Sequence, residues 1–188
     1  MLILIFSFTS CLNAETELSS DKNRFPFKYK PTPQIELTVS RIKNDIYVTY
    51  PNKVTQKIIT LEENHIKRNS PSVTEDLNFD GYTDLAISVE VNPRGLNEGY
   101  IIFLWDNKKQ KLKKSAYITN PSIEEEYLVS NNHGQCVIRT ICTDKIRYKW
   151  EGNKLITHST YNPLGKNKIE ISFYKDENIT KTIVVSEE

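Results

Sequence analysis

The chain alternates. Short runs with apolar residues at every second position recur along most of its length: Ile35–Ile42, Ile46–Tyr50, Gln56–Leu61, Leu85–Val91, Tyr100–Trp105, Leu112–Ile118, Tyr127–Ser130, Val137–Cys142, Ile146–Trp150, Leu155–Ser159, Ile169–Tyr174 and Thr180–Val185. A period of two puts one set of side chains on each face of a strand. Polar or glycine-containing breaks separate the runs, among them Lys43-Asn44-Asp45, Asp106–Lys111, Glu151-Gly152-Asn153, Gly165–Lys168 and Lys175–Asn178. Strands at this spacing with tight turns predict an all-β antiparallel meander, either propeller-like or a sandwich. The one helical suggestion, Ser122–Tyr127, is about a turn and a half long. Two hairpins rhyme: Trp105-Asp106-Asn107 leads into Lys111-Leu112, and Trp150-Glu151-Gly152-Asn153 leads into Lys154-Leu155.

Before the first run the pattern changes. Residues 1–14 carry no charge, and Leu2–Phe8 is nearly continuous apolar sequence ending at Cys11. This is too short for a transmembrane helix, which takes about 20 apolar residues. It has the size of a signal-peptide core, so the protein is expected in the periplasm, on the outer membrane or outside the cell. Cys11 is the candidate lipidation site, and an apolar first strand is the other reading. Residues 15–33 are polar and carry Pro26, Pro31 and Pro33, which reads as a tether before one domain over 34–188.

Composition narrows the function. Lys and Arg number 25 against 24 Asp and Glu, a net charge of +1. Nothing there favours nucleic acid or an anionic membrane surface, leaving membrane contact to a lipid anchor. With Cys11 set aside, Cys136 and Cys142 remain as a disulfide pair or as two buried thiols; a bridge requires the chain to turn within Val137–Ile141. No nucleophile motif, phosphate-binding glycine loop or zinc spacing is present. His65, His133 and His158 stand among polar residues, and Glu124-Glu125-Glu126 reads as a solvated face. The protein is therefore expected not to be an enzyme.

One segment carries metal chemistry. Asp76-Leu77-Asn78-Phe79-Asp80-Gly81-Tyr82-Thr83-Asp84 sets oxygen donors at positions 1, 3, 5 and 9, with the Tyr82 carbonyl at position 7. Calcium takes 6–8 oxygens, and Gly81 permits the sharp bend around the ion. A helix–loop–helix site would need a bidentate Glu at position 12, where Ile87 stands, and the segment after Asp84 is strand-like. The loop therefore predicts a structural calcium held by Asp76, Asn78, Asp80, Tyr82 and Asp84, with Leu77 and Phe79 packed into the core. A turn without metal is the other reading.

The loop with its succeeding strand resembles the calcium loops of FG-GAP-type β-propeller repeats. Together with Tyr100–Asp106, Tyr148-Lys149-Trp150 and Gly152–Leu155, it resembles a family of bacterial periplasmic proteins and lipoproteins. That family's characterised member is an immunity protein that inhibits a lysozyme-like peptidoglycan hydrolase delivered by a type IV secretion system; it is similar in fold to periplasmic lysozyme inhibitors. The resemblance implies a protein partner, a hydrolase or secreted effector, blocked by a protruding Tyr-bearing loop. Two segments are candidates for that loop. Asn92–Tyr100, with Arg94 and Tyr100 as contacts, comes directly after the metal-loop strand, so calcium is expected to fix its base. Ser130–Gln135 is the second. An ordinary hairpin loop, in a calcium-stabilised adhesion or assembly module, is the alternative.

Overall fold

The computed structural model describes residues 25–61, 72–91, 97–135, 141–164 and 168–186. They form fourteen strands in three antiparallel meanders. The first sheet holds β1 (Phe27–Thr32), β2 (Ile35–Ile42), β3 (Asp45–Thr49) and β4 (Thr55–Thr60) in chain order. The second holds β5 (Ser72–Val73), β6 (Leu85–Val91), β7 (Glu98–Asp106) and β8 (Lys111–Thr119). The third runs from β9 (Pro121–Glu124) through β10 (Tyr127–Gln135), β11 (Ile141–Glu151), β12 (Lys154–Pro163) and β13 (Lys168–Lys175) to β14 (Asn178–Ser186). No sheet closes into a barrel, and no helix is present among the described residues.

The sheets stack in the order in which the chain makes them. Leu85, Ile87, Phe103, Trp105 and Leu112 of the second sheet join Leu37, Val39, Ile46 and Val48 of the first in one buried cluster. From its other face, Ala86, Tyr100, Ile102, Leu104 and Ile118 join Leu128, Tyr148, Trp150 and Leu155 of the third. The second sheet is thus covered on both sides. The double cover explains why Tyr100–Trp105, grouped above with the alternating runs, is apolar at every position. Both rhyming hairpins form, closed by Trp105 opposite Leu112 and Trp150 opposite Leu155.

Three boundaries differ from the sequence reading. β1 lies inside the segment taken as tether: Phe27 and Tyr29 are buried between exposed Lys28 and Lys30. The prolines that disguised it flank the strand or sit on its free edge, where a missing N–H is harmless. Ser122–Tyr127 is not helical; it is the end of β9 and a tight turn through Glu125 at φ +54°. Ser130–Gln135 is not a loop. It belongs to β10, paired with β11 up to Gln135 opposite Ile141.

Candidate functional site

The acidic loop is wound on its own backbone. Asp76 accepts hydrogen bonds from the amides of Asp80 (3.1 Å) and Gly81 (2.8 Å), and Asp80 accepts from the amide of Tyr82 (3.0 Å). Phe79 and Gly81 both take positive φ, +61° and +87°, and so the loop curls tightly. Those angles break the alternation of a strand. Leu77 is fully buried as expected, but Phe79 is 39% exposed and does not pack into the core.

Several features of the loop fit a hard cation. Asn78 Oδ1 is buried with no hydrogen-bond partner, while its amide nitrogen donates to Asp80 at 2.9 Å. An orphaned amide oxygen on a side chain that touches the Asp80 carboxylate is a donor that calcium would satisfy. Among the described residues no Lys or Arg forms an ion pair with Asp76, Asp80 or Asp84. No three His, Cys, Asp or Glu side chains there make a metal cluster by themselves. The side chains gathered there are mixed: carboxylates and the Asn78 amide oxygen.

Asp84 has a further task. It is fully buried, and its two oxygens accept hydrogen bonds from the amides of Leu77 (3.0 Å) and Trp105 (2.8 Å). Burial pushes its carboxyl up to about 7, against the pull of those two amides and with further push from Asp80 and Asp76. The other sheets also reach the loop. Thr83 N–H donates to the carbonyl of Pro31 in β1 at 3.0 Å, and the Trp150 indole donates to the carbonyl of Leu77 at 2.7 Å. The acidic loop is therefore the point where all three sheets are joined.

The expected partner segment lies elsewhere. Residues 92–96, including Arg94, fall outside the described residues. Their flanks are the end of β6 and the start of β7, whereas the acidic loop enters β6 at the opposite end. Seven residues of strand separate the two ends by about 20 Å. The acidic loop lies too far away to fix the base of this segment, contrary to the sequence expectation. Asn120 holds it instead. The Asn120 side-chain amide donates to Asn97 Oδ1 (2.9 Å) and to the carbonyl of Asn131 (2.8 Å), and its Oδ1 accepts from the amide of Glu98 (2.7 Å). The two segments singled out in the sequence are thus tied to one residue that the sequence did not mark.

Tyr100 is not a surface contact. It is 5% exposed within the doubly covered sheet, and its hydroxyl donates to Glu98 at 2.7 Å. Burial, then the Glu98 contact and charge, hold that hydroxyl well above its ordinary range. The exposed tyrosine at this end is Tyr117, 54% exposed, whose ring lies where a Cβ on Gly99 would stand. Cys11 and Cys136 lie outside the described residues, so the pairing of Cys136 with Cys142 is not placed.

Sequence reasoning also missed a cluster on the third sheet. Glu124 is largely buried between Lys145 (2.5 Å) and Arg147 (2.7 Å), and Arg147 stacks on Tyr127 and Tyr161 at 5.5 and 5.1 Å. Glu125 and Glu126 of the acidic run keep the solvated character expected, and Glu126 pairs with Lys149 at 2.8 Å. The alternation Lys145, Arg147, Lys149 was the available signal, because it places three cations on one face of a strand. His158 packs on Tyr127 at 4.8 Å, and its burial and then the charges of Lys149 and Arg147 disfavour protonation.

With this geometry established, comparison with known proteins adds one observation. A solved Xanthomonas type IV secretion system related protein matches the chain with a TM-score of 0.53, covering 91% of this chain and 97% of that one. The likeness is one of fold. Identity across it is 15%, so it carries no residue roles. No protein-family model matches the chain, and no curated protein does.

Proposed function

We propose that this is an envelope-located, non-enzymatic inhibitor of a lysozyme-like peptidoglycan hydrolase, delivered to its site by a signal peptide or by a lipid on Cys11. The reading is supported by the shared fold with a secretion-system related protein and by the motif resemblance that runs through Asp76–Asp84 and both tryptophan hairpins. The observation that carries it furthest is the Asn120 anchor. A segment that must enter an enzyme cleft needs a rigid base, and Asn120 supplies one at Asn97, with Tyr117 exposed alongside. Arg94 and Tyr117 are the proposed contacts, Tyr117 replacing Tyr100.

Calcium is assigned a structural role. Asp76, Asn78, Asp80 and Asp84 with the Tyr82 carbonyl would hold the ion; its charge would offset the mutual repulsion of the three carboxylates and stabilise the junction of the sheets.

The test uses the purified protein in calcium and a lysozyme-like hydrolase encoded beside it. Suppressed cell-wall lysis is expected, with Tyr117→Ala relieving the suppression at an unchanged melting temperature. Partner binding without any effect on lysis would assign the protein to the assembly-module class instead. Absence of any effect on every neighbouring hydrolase would sink inhibition.

A further inference from the structure

The molecule protects most of its sheet edges. An unpaired edge offers a row of free N–H and C=O groups to any passing strand, and soluble proteins blunt such edges with lysine, proline or short strands. β1 carries exposed Lys28 and Lys30 and then Pro31. β4 begins with exposed Thr55, Gln56 and Lys57. β5 is two residues long, and β9 is four residues starting at Pro121. β8 shows Lys111, Lys113 and Lys114.

β14 has less of this protection: a single lysine, and a bulge near its start, where the consecutive residues Tyr174 and Phe173 stand opposite Ile179 and Lys181. It is nine residues long, lacks proline, and ends the third sheet with no partner on its outer side among the described residues. Ile179, Val184 and Val185 are 59%, 55% and 37% exposed. No residue of β13 or β14 belongs to either buried cluster, so this hairpin extends beyond the three-layer core. It leaves aliphatic side chains partly exposed on both faces, Val184 on one and Val185 on the other.

We propose that β14 is a strand-addition site and that its occupant is a second copy of this chain, paired antiparallel about a two-fold axis at Ile183. The strand is self-complementary in that register. Ile183 faces its own copy, Thr182 faces Val184, and Lys181 faces Val185, so no like charges are opposed. Within each copy Ile171 stands opposite Ile183. The pairing therefore sets Ile171, Ile183 and their two counterparts in one apolar row across the joined sheets. Registers centred on Lys181 would oppose two lysines and are disfavoured.

The test is the mass of the full chain in solution by sedimentation velocity across a wide concentration range, compared with two exposed substitutions. The expected result is a species of twice the 21.8 kDa chain mass at the upper concentrations. Val185→Lys, which opposes Lys181 of the other copy, should shift it to the single-chain mass. Val185→Glu, which gives Lys181 an ion-pair partner twice across the axis, should retain or strengthen the doubled mass. Unchanged circular dichroism melting curves for both variants show that the fold is intact. A single-chain mass at every concentration would overturn the proposal, as would identical behaviour of the two Val185 variants. A single-chain mass combined with capture of a foreign strand at β14 would assign the edge to another protein and equally overturn it.

Discussion

The indole N–H of Trp150 donates to the main-chain carbonyl of Leu77 at 2.7 Å, joining the third sheet to the acidic loop across 73 residues of chain. Trp105, the corresponding residue of the other hairpin, reaches the same loop through its amide and Asp84 at 2.8 Å. The two rhyming hairpins thus converge on one loop. Trp150→Phe keeps most of the ring and removes only the donor. It should cost about 1–3 kcal/mol by leaving a buried acceptor unpaired. Chemical denaturation measures the cost, and an unchanged midpoint would show that the contact contributes nothing.

Asp80→Ala should abolish the dependence of the melting temperature on calcium. The unmodified protein is expected to melt higher in calcium than in chelator, by an amount that grows with free calcium as linkage requires. Melting curves of the native protein that coincide with and without chelator would remove calcium from the account of the loop.

Tyr100 and Tyr117 should respond oppositely to truncation. Tyr100→Ala opens a cavity in a sheet covered on both faces and should cost about 3–5 kcal/mol, in the range for large buried aromatic residues. Tyr117→Ala lies at the surface and should cost little stability while reducing partner affinity. Urea titration of both variants, beside an inhibition assay, separates the two roles.

Asn120→Ala removes the anchor shared by Asn97, Glu98 and Asn131. Faster amide exchange is expected at Asn97 and Glu98, with loss of about 1–2 kcal/mol from the lost hydrogen bonds. Exchange unchanged at Glu98 would show that the segment is held by something else.

The Glu124 cluster gives an acid limb to the stability curve. Burial pushes the Glu124 carboxyl up, but Lys145 and Arg147 outweigh it and hold the group below the usual carboxylate range. A group with a depressed folded value binds protons more readily when unfolded. Its stabilisation is complete above the unfolded value, about 4.3, and is lost as pH falls from there through the lower folded value. Glu124→Gln should flatten that part of the urea midpoint against pH. It should also lower stability at neutral pH, because Lys145 and Arg147 lose their carboxylate.

Alternation and turn residues alone determined that this chain is all-β, that its strands form meanders, and that Trp105 and Trp150 end matching hairpins. The spacing of Asp76, Asn78, Asp80 and Gly81 was equally legible, because a loop that wraps on itself is specified locally by backbone angles and short side chains. Tertiary structure decided the rest. Tyr100 read as available because it closes a glycine-bracketed segment, although it also opens the continuous apolar run of a strand whose sheet is buried on both sides. Nearness in sequence also misled: Asn92 is only one strand beyond the acidic loop, yet a strand is rigid and carries its two ends about 20 Å apart. Contacts such as Glu124 with Arg147, or Asn120 with Asn97 and Asn131, join separate turns of the chain and exist only once the sheets have paired. Asp84 shows both sides. Its place in the acidic motif was written in the sequence, while its bonds to Leu77 and Trp105 depended on the strand that folding laid beside it.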